Sequence, residues 1–232
     1  MINVELGSFF GSLGPLHERV NVIMLDALNR LPVDVFNLTP DDLYMWPELA
    51  VADFPKTRFI STNLVAPDGV KSPARFAVME IPRSLRGGES IRIGFLGLVA
   101  PSTVRPNSKF TALDPREAVT SAKASLQEKV HCWVIIGDFS EQLAMTLAVE
   151  HPDVFAVLRM ERRFRLYPPK QSGNAVLLSS IERGRYLGRL TMSFDEKGEV
   201  VAYEPEFTLL DAKVPENPEF LRVADEVKSQ VP

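Results

Sequence analysis

The stretch WVIIGDFSEQLAMTLAVEHPDVFAVL, residues 133–158, decides the architecture. It opens with a short apolar run of buried-strand character and closes with a second at residues 154–158. Between them, residues 141–150 carry a helical pattern, so the stretch is one unit of strand and helix alternation. The same alternation extends toward the N-terminus. Residues 2–6, 33–38 and 58–62 read as short strands. Pro15 opens an amphipathic segment with Leu16, Val20, Ile23, Met24, Ala27, Leu28 and Leu31 at helical spacing. Thr39, Pro40, Asp41 and Asp42 suit the N-cap, N1 and acidic first turn of a following helix. Residues 75–81 and 91–98 form a hairpin-like pair around Pro82, Gly87 and Gly88, and Asp114 starts a helix running to about residue 129.

Beyond residue 158 the pattern changes. Residues 175–179, 186–194 and 200–209 read as consecutive antiparallel strands, with a turn at residues 195–198 joining the last two. Strand and helix alternation followed by a meander predicts a mixed α/β pair of sheets covered by helices, not a plain doubly wound sheet. Residues 1–211 read as one domain and 212–232 as a polar helical or linker extension.

Composition is that of a globular chain. The 232 residues are 45% hydrophobic and 24% charged, enough for one sizeable core. A net charge of −4 gives no global pull on nucleic acid or anionic membrane. No run is long and apolar enough to span a bilayer. Residues 1–10 lack a basic region leading into an apolar one, so the residues as given read as cytosolic or as the remainder after a signal is removed. Cys132 is the single cysteine and lies in an apolar run, where it reads as a small buried hydrophobe. Trp46, Trp133, Phe9 and Phe10 read as packing residues. Phosphate-loop, dinucleotide-binding and Ser-His-Asp patterns are missing.

Several segments, in order, resemble a known family. Leu6-Gly7-Ser8-Phe9-Phe10-Gly11 looks like a strand ending in Gly-Asp, and Ala27-Leu28-Asn29 like a helix carrying "ALN". Val33-Asp34-Val35-Phe36-Asn37-Leu38 looks like the strand leading into Asn-His-Glu. Ser61-Thr62-Asn63, Ile91 to Leu98, Val134 to Asp138 and Gly184 to Arg189 follow at matching spacing. Together they resemble the 5′-nucleotidase-like branch of the calcineurin-like metallophosphoesterases. The resemblance implies a four-layer αββα sandwich, here without the family's opening Asp-x-His strand. It also implies an ancestral chemistry in which two metal ions activate water for attack on a phosphate ester.

The residues that the resemblance would make metal ligands have changed. Ser8 stands for the bridging Asp, Pro40 for the Asn of Asn-His-Glu, and Gly137-Asp138 for Ser-His. An arginine, Arg159, falls near the Gly-Gly-His-x-His segment. Proline offers no side-chain ligand, and a guanidinium repels a divalent ion. Of the histidines, His17 falls in a helix, His131 at the wrong end of its strand, and His151 at a helix C-terminus, where an imidazolium can favour the dipole.

Three functions stay open. The first is a catalytically degenerate domain with a binding, scaffolding or assembly role, needing no cofactor, for a protein partner or other domains of a larger polypeptide. The second is a phosphoesterase with a reduced site, in which Asp41, Asp42, Asp138 and Glu161, with Glu141 nearby, hold Mn²⁺, Mg²⁺ or Ca²⁺. Against that reading, Asp41, Asp42 and Glu141 can simply serve helix N-termini. The third is an anion-binding patch of Arg159, Arg162, Arg163, Arg183 and Arg185, beside Arg165 and Arg189. Its plain counterpart is a solvated charged loop.

Overall fold

A computed structural model describes residues 1–10, 15–82, 90–106, 108–161, 167–181 and 185–230. In chain order the elements are β1 (Val4–Glu5), α1 (Pro15–Arg30), β2 (Val35–Asn37), α2 (Trp46–Val51), β3 (Arg58–Ile60), β4 (Leu64–Val65), β5 (Phe76–Ile81) and β6 (Ile91–Val99). They continue with β7 (Thr111–Ala112), α3 (Pro115–Ser125), β8 (Cys132–Asp138), α4 (Glu141–Glu150), β9 (Val154–Glu161), β10 (Lys170–Ser172), β11 (Ala175–Ile181), β12 (Tyr186–Phe194), β13 (Val200–Leu209) and α5 (Pro218–Gln230).

Among the described residues the central sheet has six strands in the order β10-β11-β9-β8-β6-β5. Strands β6, β8, β9 and β11 run parallel, and β10 and β5 close the edges antiparallel. Strand β8 is buried along its whole length, as a strand covered on both faces must be. On one face Val119 and Ala122 of α3, and Ala144, Leu147 and Ala148 of α4, pack against Leu96, Leu98, Ile135 and Val157. Both helices start on side-chain caps: Asp114 accepts from the amides of Arg116 and Glu117, and Ser140 from that of Leu143.

The other face packs against a second β layer. A parallel sheet β1-β2-β3 contributes Val4, Val35 and Ile60, and the β12-β13 hairpin contributes Leu190, Met192, Phe194 and Phe207. Outside the three-stranded sheet, Leu28 of α1 and Trp46 and Leu49 of α2 bury Phe36 and Leu38. The layers therefore run helix, sheet, sheet, helix. Helix α5 lies along α1, with Glu219 against Arg30. No helix is long and apolar enough to cross a membrane among the described residues. Cys132 is fully buried, and burial pushes its thiol up to about 12.

Three sequence expectations need correction. Residues 175–179 do not begin a meander: β11 lies parallel to β9, and β12 and β13 alone pair as the hairpin among the described residues. The short β10 takes β11's other edge antiparallel, which removes that edge from the hairpin's reach. Thr39 and Pro40 do not open a helix. The chain makes a 3-10 turn at Asp42–Met45 and only then enters α2, because the Asp42 side chain is turned inward. The surroundings of His151 disfavour the imidazolium that would suit the C-terminus of α4. Burial and the neighbouring Lys123 lower its pKa, although Asp153 and Glu150 pull the other way.

Candidate functional site

The C-terminal ends of the parallel strands of both sheets come together, bolted by polar side chains. Asn37, at the end of β2, donates to the carbonyls of Leu6 (3.1 Å) and Leu98 (3.4 Å). Thr62 accepts from the Gly97 amide at 3.0 Å. Asn63 both donates to the Val99 carbonyl (2.9 Å) and accepts from the Val99 amide (3.0 Å). Close approach needs glycine on β6 and β8. A Cβ at Gly97 would lie 2.3 Å from Asn37 Oδ1, and one at Gly137 would lie 1.9 Å from the Leu98 carbonyl oxygen.

Over these strand ends sits Asp42, with no exposed surface. Gly7 (φ 107°) and Ser8 (φ 55°) turn the backbone after β1 so that three successive amides face one point. Asp42 fills that point. Its Oδ1 accepts from the amides of Phe9 (2.9 Å) and Phe10 (3.1 Å). Its Oδ2 accepts from the amides of Ser8 (2.9 Å) and Thr39 (3.0 Å) and from the Thr39 hydroxyl (2.7 Å). Burial raises the Asp42 pKa, and the donors from Thr39, Phe10 and Ser8 oppose that rise.

Asp41 faces outward. It accepts from the Ser8 hydroxyl at 3.0 Å and lies 3.9 Å from Arg105. Asp138 ends β8 and is buried, with its carbonyl accepting from the Ala100 amide at 2.8 Å. Glu161 ends β9 and pairs with Arg159 at 2.9 Å, both side chains nearly buried. Arg159 also donates to the Phe139 carbonyl at 3.3 Å. Glu141 stands in the first turn of α4 and pairs with Lys170 at 2.5 Å. Among the described residues no three His, Cys, Asp or Glu side chains gather closely enough to hold a metal ion.

The arginine cluster divides. Arg159 is paired within the strand ends, Arg185 is exposed, and Arg189 lies 3.7 Å from Glu206 on the hairpin. Arg162, Arg163, Arg165 and Arg183 fall outside the described residues, as does the side chain of His17. His131 precedes β8 at the N-terminal end of the sheet, where its Nδ1 accepts from the Arg92 amide at 3.0 Å.

The architecture has solved counterparts. A 5′-nucleotidase precursor from Thermus thermophilus superposes with a TM-score of 0.73 at 21% identity, over 99% of this chain and 48% of that one. The fold is that of the 5′-nucleotidase-like metallophosphoesterases. Sulfate thiohydrolase SoxB from the same organism matches with a TM-score of 0.73 at 17% identity, over 99% of this chain and 42% of its own. Calcineurin-like phosphoesterase YfkN from Bacillus subtilis matches at 0.70 and 16%, over 99% and 82%. The chain thus spans less than half the length of the first two. No protein-family model and no curated protein sequence matches it.

In this metallophosphoesterase-like fold, sequence reasoning missed Glu5, Asn37 and Arg105. Burial pushes the Glu5 carboxyl up to about 7; Asp42 adds to the rise, and N–H donation from Gly7 opposes it. The folded protein therefore holds this proton more tightly than the unfolded chain does. The contribution of this group to stability, roughly 3 kcal/mol, is fully present below about pH 4.5 and is lost as pH rises to about 7. Glu5→Gln should flatten that slope, as read by urea denaturation at pH 5 and pH 8. An unchanged slope would contradict the assignment.

Proposed function

We propose that this chain is a catalytically degenerate metallophosphoesterase-like domain that binds, scaffolds or assembles and carries out no dinuclear-metal phosphate-ester hydrolysis. The observation that carries this reading is the Asp42 carboxylate, whose two oxygens accept from five internal donors. A ligand carboxylate must turn lone pairs toward the ion, and these are turned toward amides and a hydroxyl. Asp41 is engaged by Ser8 and Arg105, and Glu161 by Arg159. These acids do not fit a dinuclear metal centre. The partner is a protein surface or the remainder of a longer polypeptide. Supporting this, the chain matches one portion of longer proteins.

The test is turnover of p-nitrophenyl phosphate with added Mn²⁺, Mg²⁺ or Ca²⁺. No cation-dependent turnover is expected. Manganese-dependent turnover abolished by Asp138→Ala would overturn the proposal in favour of a reduced-site phosphoesterase.

A further inference from the structure

A second concavity lies away from the rim acids. Strand β3 ends the three-stranded sheet and β5 ends the central sheet, and a cleft of about 410 Å³ opens between these two edges and α2. Its floor is closed where Ile60 bridges Ala74. Three aromatic rings shape one wall. Phe59 meets Phe54 edge-on at 5.1 Å and Trp46 at 6.3 Å, while β5 lines the opposite side and the Phe76 ring is turned onto Trp133 at 6.2 Å. Phe54 and Phe59 line the cleft and are only half-buried. Trp46 is held in place by donating its indole N–H to the Lys71 carbonyl at 2.6 Å.

Two cations line the same cleft, and no Asp or Glu does. Lys71 donates to the Ala50 carbonyl at 3.1 Å, which leaves ammonium protons available. Arg58 is exposed at the start of β3. Neither cation forms an ion pair among the described residues. A cleft with one aromatic wall and two cations among its lining residues complements a flat ring bearing an anionic group. Its volume lies near the lower end of the roughly 300–1,000 Å³ typical of small-ligand sites, the size for one ring system.

We propose that this cleft binds a small aromatic anion, with the ring against Phe54 and Phe59 and the carboxylate or phosphate between Arg58 and Lys71. The proposal is independent of the fate of the rim acids. Indole-3-carboxylate and phenyl phosphate serve as probes for the two anionic groups, and indole-3-carboxamide as the neutral control. Binding is read by calorimetry and by chemical-shift changes of the whole chain. At least one anion should bind below about 1 mM, with the carboxamide about tenfold weaker or more. The Arg58→Ala, Lys71→Ala double variant should lose about tenfold in affinity, with Phe54→Ala reporting the ring contact separately. Near-UV circular dichroism confirms that both variants are folded. No binding of either anion at about 10 mM, carboxamide binding as tight as the acids, or an unaffected double variant would each overturn the proposal.

Discussion

Asp42→Ala should destabilise the protein by about 3–5 kcal/mol, lowering the midpoint of thermal unfolding by about 10 °C or more. The substitution strands the amides of Phe9, Phe10 and Thr39, while the Ser8 amide keeps its bond to the Thr39 hydroxyl oxygen and the Thr39 hydroxyl keeps Ser8 Oγ at 3.2 Å. Each buried donor left without a partner costs about 1–3 kcal/mol, and local relaxation recovers part of the total. Relief of the cost of burying a carboxylate offsets another part. Asp42→Asn retains one carbonyl oxygen and should lose about half as much. The sign is what discriminates. A carboxylate kept as a cation ligand is destabilising without its ion, so its removal would leave the metal-free protein as stable or more so. Chemical denaturation in EDTA reads the difference directly, and a loss below about 1 kcal/mol would contradict the inward-facing role.

Gly137→Ala should be comparably severe, about 3–5 kcal/mol. Gly137 has φ 142°, and its Cβ would lie 1.9 Å from the Leu98 carbonyl oxygen and 2.9 Å from Asn37 Nδ2. Two costs therefore add: a backbone conformation that alanine rarely adopts, and a clash with backbone that cannot swing aside. Relief requires β8 to part from β6, at the centre of the parallel strands. Gly69→Ala is the control. Its φ is 78°, but nothing lies within 4 Å of the added carbon, so only the conformational cost applies, about 1 kcal/mol. Equal effects at the two positions would show that the close approach between strands carries no weight.

Much of the fold is legible in the sequence, for reasons that can be named. Residues 141–150 read as a helix between two apolar runs, and α4 has those bounds because Ser140 caps it and His151 ends it. Residues 186–194 and 200–209 flank the turn Asp195-Glu196-Lys197-Gly198, and β12 and β13 pair across it. The layers follow from strand and helix alternation giving way to a hairpin. The partner of β11 is not legible, because a short, partly apolar strand does not say whether its neighbour is parallel.

The candidate site is legible only in part. Residue types at positions 8, 40, 138 and 159 show that the resemblance's metal ligands have changed, but not what replaced them. Thr39 and Asp42 are three apart, the spacing of a capping box, and that pattern is the one local signal that Asp42 folds back on the chain. Its remaining donors, Ser8, Phe9 and Phe10, come from more than thirty residues away and leave no local trace. Glu5 and Asn37 are silent for the same reason: one is an acid on an edge strand, the other a polar residue in an apolar run, and only tertiary packing gives either its role.

The central claim is that the acids at these strand ends are held by the protein's own donors and are not arranged for divalent ions. Equilibrium binding of Mn²⁺, followed by the paramagnetic resonance of the free ion, addresses it most directly. The expected result is no ion held with a Kd below about 1 mM, in the parent protein and in Asp138→Ala alike. Two ions per chain held at micromolar concentration, and released by Asp138→Ala, would contradict it.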